Sequence, residues 1–170
     1  IGNGGTDTAS YLSHDGLLAD GSPDVISLGN GTADGSYTRF QAVGPIRRAV
    51  ETDVLRGIEN VTGSDSDEAI NGNDGINVLD GRGGNDIIDG GLGNDTLIGN
   101  DGIDTVSYLS HDGVAGAVIT ITLGLGSADG SYVRTQNVVG APSPVVETDV
   151  LRSIENVTGS DQFDNINGNE

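Results

Sequence analysis

One large apolar residue returns at every ninth position through the middle of the chain: Ile70, Leu79, Ile88, Leu97 and Val106. Around it lie four consecutive nonapeptides, GNDGINVLD from Gly72, GRGGNDIID from Gly81, GGLGNDTLI from Gly90 and GNDGIDTVS from Gly99, each with Gly at its first and fourth positions. Six residues of turn and three of strand account for such a unit, with the glycines permitting tight bends and close backbone approach. The register extends upstream through GSDSDEAIN and VLRGIENVT, which place Ile70 and Val61 at the eighth position, and the second half of the chain repeats this with Val157 and Ile166. Two other stretches follow a different grammar. Val118 to Leu123 alternates like a half-buried strand, and Ser131 to Val138 reads as its partner across a loop containing Asp129-Gly130. Asp24 to Leu28 and Ser36 to Phe40 are the earlier equivalents. Each stretch is expected to leave the repeat as a hairpin and return through Thr52-Asp53-Val54-Leu55 or Thr148-Asp149-Val150-Leu151. The pattern leaves open whether that return is a helical turn.

A longer period overlies the short one. GNGGTDTASYLSHDG from Gly2 returns as GNDGIDTVSYLSHDG from Gly99, and ETDVLRGIENVTGSD from Glu51 returns as ETDVLRSIENVTGSD from Glu147, offsets of 97 and 96 residues. The slips place insertions in loops between the anchors. The expected divisions are a partial repeat at 1–10, an insert at 11–53, a repeat block at 54–107, a second insert at 108–149 and the start of another block at 150–170. Both termini fall inside the repeat, so the segment is expected to come from a longer chain whose end turns need neighbouring units.

Composition sharpens this picture. Seven arginines and no lysine stand against 26 acidic residues, a net charge of −19, with 29 glycines and two phenylalanines. Low apolar content with high charge cannot offset ordering entropy by burial alone. Acidic residues at fixed offsets point to multivalent cations, each cancelling repulsion and fastening two segments. Nucleic acid and anionic membranes want basic patches and are not expected partners. No apolar run reaches the roughly 20 residues of a spanning helix, so membrane insertion is not expected either. Cysteine is absent, which fits an exported protein held by metal instead of disulfides.

The sixth position of the four nonapeptides holds Asn77, Asp86, Asp95 and Asp104. If two nonapeptides complete one coil, loops two repeats apart stack, and Asp86 faces Asp104, Glu68 or Asp67 faces Asp86, and Asn77 faces Asp95. Carboxylates so close repel unless a cation lies between them. Calcium suits the gap because it accepts six to eight oxygens in irregular geometry, backbone carbonyls included. Zinc would want Cys or His, which do not recur in these turns.

This run resembles the RTX, or hemolysin-type, calcium-binding repeat, GGxGxDxUx with U a large apolar residue. The resemblance implies an all-β fold, a right-handed parallel β-roll interrupted here by two β-rich hairpin-like inserts, and several bound calcium ions. It further implies ions held by the sixth-position Asp of two stacked loops with carbonyls from positions 1 and 3 of one and 2 and 4 of the other. On this chain the best site takes Gly81, Gly83 and Asp86 with Asn100, Gly102 and Asp104. Carried over the remaining loops, the same register adds Gly72, Asp74, Asn77, Arg82, Gly84, Gly90, Gly91, Leu92, Gly93, Asp95, Gly99 and Asp101. Asn77 departs from the expected Asp, with Asp74 a substitute, and Glu68 likewise departs, with Asp65 or Asp67 as substitutes. Outlying half-sites fall at Asp7, Asp161 and Asp164.

The remaining signals read as structural. Ser13-His14-Asp15 and Ser110-His111-Asp112 carry the letters of a hydrolase triad, but adjacent residues rarely converge on one point, and no catalytic function is expected. The sequons at Asn30, Asn60 and Asn156 are expected to be unused. Thr8, Thr96 and Thr105 share the seventh position, but Val78 and Ile87 interrupt the file and argue against a flat threonine array. Arg47-Arg48 reads as local charge balancing. The resemblance implies a secreted bacterial module that folds on meeting calcium outside the cell after type I secretion. Tandem units favour a spacer in an adhesin or a surface or filament assembly, capable of self-association. The alternative is a carboxyl-terminal secretion and stability module of an extracellular protease, lipase or epimerase.

Overall fold

The computed structural model describes residues 2, 4–12, 23–30, 34–43, 46–111, 117–124, 129–136 and 145–168. The first unit contributes β1 (Thr8–Ser10), then β2 (Asp24–Ser27), β3 (Gly35–Val43) and β4 (Ile46–Leu55). The repeat block follows with β5 (Asn60–Thr62), β6 (Glu68–Asn71), β7 (Val78–Gly83), β8 (Ile87–Asp89), β9 (Thr96–Asp101) and β10 (Thr105–Ser107). After a 3₁₀ turn at Leu109–His111 come β11 (Ala117–Thr122), β12 (Gly130–Gln136), β13 (Val145–Arg152), β14 (Asn156–Thr158) and β15 (Phe163–Asn167). Among the described residues no helix is long and apolar enough to cross a membrane.

Successive repeat strands alternate between two sheets. One runs β1-β5-β7-β9-β13-β12-β11-β15 and the other β14-β10-β8-β6-β2-β3-β4. The repeat strands pair in parallel with partners eighteen residues away, Leu79 opposite Leu97 and Ile70 opposite Ile88. Two nonapeptides therefore complete one coil, as the sequence predicts. Eighth-position side chains meet between the sheets, where Ile70, Leu79, Ile88, Leu97 and Val106 are fully buried. Each such burial stabilises the fold by roughly 1.5–3 kcal/mol. Seventh-position neighbours such as Ile87 point outward because alternate side chains leave a strand on opposite faces. Val157 is half-buried and Ile166 exposed: β15 pairs with β11, and the described chain places no further coil over it.

The inserts differ from hairpin excursions. Each forms a three-stranded antiparallel meander built into a roll sheet, with β2 parallel to β6 and β11 parallel to β15, so both sheets are mixed. The return segments are strands, not helical turns, and the second lies parallel to β9 with Leu151 opposite Leu97. Each unit makes an odd number of crossings between sheets, so the two meanders extend opposite sheets. A stacked tyrosine pair anchors each meander to the chain beside the repeat, Tyr11 on Tyr37 with ring centroids 4.0 Å apart and Tyr108 on Tyr132 at 3.9 Å.

Candidate metal centre

Stacking the coils brings the turns within backbone contact. A Cβ added at Gly102, whose φ is +146°, would lie 1.7 Å from the Gly84 carbonyl oxygen. Only glycine permits both that dihedral and that approach. The second residues of the two loops, Arg82 and Asn100, adopt positive φ of 77° and 72° and face each other across β7 and β9.

The sixth-position side chains form hydrogen-bonded ladders. Asp86 N–H donates to Asp104 Oδ1 at 2.8 Å, and Glu68 N–H donates to Asp86 Oδ1 at 2.8 Å. In the other column Asn77 N–H donates to Asp95 Oδ1 at 2.9 Å. Asp86, Asp95 and Asp104 are almost wholly buried, and the second oxygen of each, Oδ2, has no hydrogen-bond partner. An ionised carboxylate left so is costly unless a positive charge reaches it. Burial, then the neighbouring charges of Glu68, Asp104 and Asp67, push Asp86 up to about 8, although its bond from the Glu68 amide pulls the other way. Burial likewise lifts Asp95 to about 8, with Asp149 the foremost charge beside it. Burial also raises Asp104, with Glu155 the foremost charge. The donor set fits a hard cation: oxygens only, one carboxylate per loop, and backbone carbonyls at the stacked bends. Among the described residues no three acidic or histidine side chains converge. Carbonyls must therefore supply much of any coordination shell.

The departures from the repeat are filled by protein donors. Asn77 uses its amide nitrogen to hold the Glu59 carbonyl at 2.7 Å, and its oxygen accepts from Asn73 N–H at 2.9 Å. A neutral side chain thus stands between Glu59 and Asp95 in that column. Glu68 accepts from the amide and hydroxyl of Ser64. Asp164 does the same with Ser160. Asp65 pairs with Arg82 at 3.2 Å, and Asp67 accepts from Asn85 N–H at 2.8 Å. Asp74 exchanges two bonds with Asn30 of the first insert. Asp7 donates its N–H to Glu59 at 2.7 Å and keeps a buried Oδ2 without a partner. Gly72 and Gly90 approach each other across the second column, as do Gly91 and Asn73, and Gly93 and Gly75. Gly81 and Gly99 pack against the Oδ2 atoms of Asp86 and Asp104. Gly83 lies opposite Asp101 in the β7–β9 ladder; Asp101 and Asp161 are exposed, and Leu92 is half-buried.

Besides Glu59, which accepts the Asp7 N–H at 2.7 Å, two ladder members escape the glycine signature. Glu155 accepts the Asp104 N–H at 2.8 Å, and Asp149 accepts the Asp95 N–H at 2.9 Å. Their sequence signal is the acid-x-apolar triplet, Asp149-Val150-Leu151 and Glu155-Asn156-Val157, which keeps positions 6 to 8 of the repeat without its turn. Of the triad-like tripeptides, Ser110 bonds to Asp89 at 2.6 Å, and Ser13-His14-Asp15 and Asp112 lie outside the described residues. Asn60 accepts the Val78 N–H within the parallel ladder.

The family model described as the RTX calcium-binding nonapeptide repeat, four copies, matches residues 62–97 and again 71–106. Residues 62–106 are therefore RTX calcium-binding repeats, and the ion they take is calcium. No curated protein matches the chain.

Proposed function

We propose that the chain is a calcium-loaded structural module of a secreted RTX protein, a right-handed roll that folds on reaching calcium outside the cell. Its role is that of a spacer in an adhesin or surface assembly, without catalytic function. The single observation that carries this reading is the set of buried carboxylates, Asp86, Asp95 and Asp104, each with one oxygen lacking a protein donor. The residues that would hold an ion are Asp86 with Asp104, joined by carbonyls of Gly81, Gly83, Asn100 and Gly102. Calcium would neutralise the paired charges and tie adjacent coils. The protein's own part is to stack the bends, exclude water and fix one oxygen of each carboxylate by an amide. With −19 charges and little apolar mass, the unloaded chain has too little to offset its entropy. The division at 1–10, 11–53, 54–107, 108–149 and 150–170 belongs to this proposal, with inserts completing the sheets of the roll. Excess EGTA is expected to abolish most of the β circular dichroism and calcium to restore it; an unchanged spectrum in EGTA would reject the reading.

A further inference from the structure

We propose that the outer face of the second meander, centred on Phe163, Val118 and Val146, is an interaction surface whose partner is a second copy of this chain laid face to face on it. The inference deepens the reading of the chain as a folded module of a surface assembly and rests on that reading. Phe163 is one of two phenylalanines in the chain, yet it is 90% exposed. Strand register places it in a row with Val118, Thr135 and Val146, of which Val118 is 61% and Val146 55% exposed. These side chains leave their strands on the side opposite to the buried Ile119, Arg134 and Glu147, so the core of the roll gains nothing from them. The first unit forms its meander without this aromatic: the place of Phe163 in GSDQFDNIN is held by Asp67 in GSDSDEAIN.

Charge and area select the partner. The chain carries −19, with 19% of its residues charged, but the three outward positions on each of β15, β11, β12 and β13 that form this row and the next two include no charged residue. The third of these rows continues through Thr96, Val78 and Asn60 to Thr8, so an uncharged line crosses all eight strands of the sheet. The row beyond it carries Asp80 and Arg152 and marks the border. An anionic membrane or a nucleic acid is repelled by so acidic a chain. A copy of the same face matches it, because outward side chains recur at the strand spacing of about 4.8 Å on both, and Val, Thr and Asn rows meet their like as in aligned sheet packing. Eight strands at that spacing make the face roughly 40 Å long. With a width of about 15 Å it offers on the order of 600 Å² on each copy, near the ~800 Å² a side of a standard interface. A twofold pairing of the two faces closes on itself and gives a dimer.

The test is sedimentation velocity on the full chain in calcium over a range of concentrations, with circular dichroism on the same samples. The parent should pass from monomer to dimer as concentration rises. Phe163→Asp, which supplies the first unit's residue, and Val118→Glu should each weaken dimerisation by about tenfold or more. Ile103→Glu adds the same charge at a 62% exposed isoleucine on a turn of the roll and should leave dimerisation unchanged. Should Val118→Glu lose its β signal, Thr122→Glu, at an exposed position on the same face, takes its place. A folded parent that stays monomeric, undiminished dimerisation in Phe163→Asp, or an equal loss in Ile103→Glu overturns the inference and leaves the calcium-loaded module standing. A parent without β signal in calcium rejects the module reading itself, and the face with it.

Discussion

The hexapeptide ETDVLR occurs twice and lives in two environments. At 147–152 it forms most of β13, flanked by β12 and β9, with Leu151 buried and Asp149 sealed against Asp95. At 51–56 it ends β4, the last strand of its sheet among the described residues, with Val54 exposed and Leu55 half-buried. The salt bridges follow suit. Arg134 and Glu147 meet at 2.6 Å with side chains only 8% and 6% exposed, whereas Arg39 and Glu51 meet at 3.1 Å and are 24% and 34% exposed. Among the described residues, these identical residues thus gain burial where the roll offers a strand edge, a leucine row and an acidic ladder to join.

Calcium removal should erase this contrast. By hydrogen exchange, protection of 147–152 is expected to fall in EGTA to the level of 51–56, and retention of the difference would show that β13 docks without the ion. The salt bridges test the same contrast at smaller scale. Arg134→Ala strands Glu147 in a dry site and should cost about 3–5 kcal/mol in chemical unfolding with calcium present. Arg39→Ala should cost less than about 1 kcal/mol. Equal losses would mean that burial is not what separates the two copies.

The acidic ladders give a pH dependence of definite sign. Asp86 and Asp95 rise from 3.8 to about 8 in the folded chain, so the folded state binds more protons than the unfolded one between these values. Their contribution to stability without calcium is fully present below about 4 and is lost as pH rises through about 8. In calcium-free buffer the β signal should therefore grow as pH falls from 8 toward 4, and a flat profile would contradict the buried placement. The smallest effect concerns the hinge after the hexapeptide. Ser153 adopts φ 48° where the first copy has Gly57 at φ 57°. Relief of that left-handed strain by Ser153→Gly should raise stability by up to about 1 kcal/mol, read as a shift in the thermal midpoint.

Much of this architecture is legible from spacing. A glycine pair, an acid and one apolar residue every nine positions fix the turn, the strand and the buried file, because each depends on residues within one repeat. Asp86 facing Asp104 follows from the same count. The departures were legible only as departures. That Asn77 turns its amide to Glu59, or that Ser64 satisfies Glu68, depends on neighbours brought in by stacking.

The linear chain determined the period, the ladder residues inside it and the need for a cation, since charge and composition are additive properties. Tertiary structure decided which distant acids complete the ladders and which sheet each meander extends. Asp149 and Asp53 share the same flanking residues, and only packing against β9 separates a sealed carboxylate from a solvated one. The cause is desolvation: it depends on what lies across the sheet, and no residue carries that in its own sequence neighbourhood.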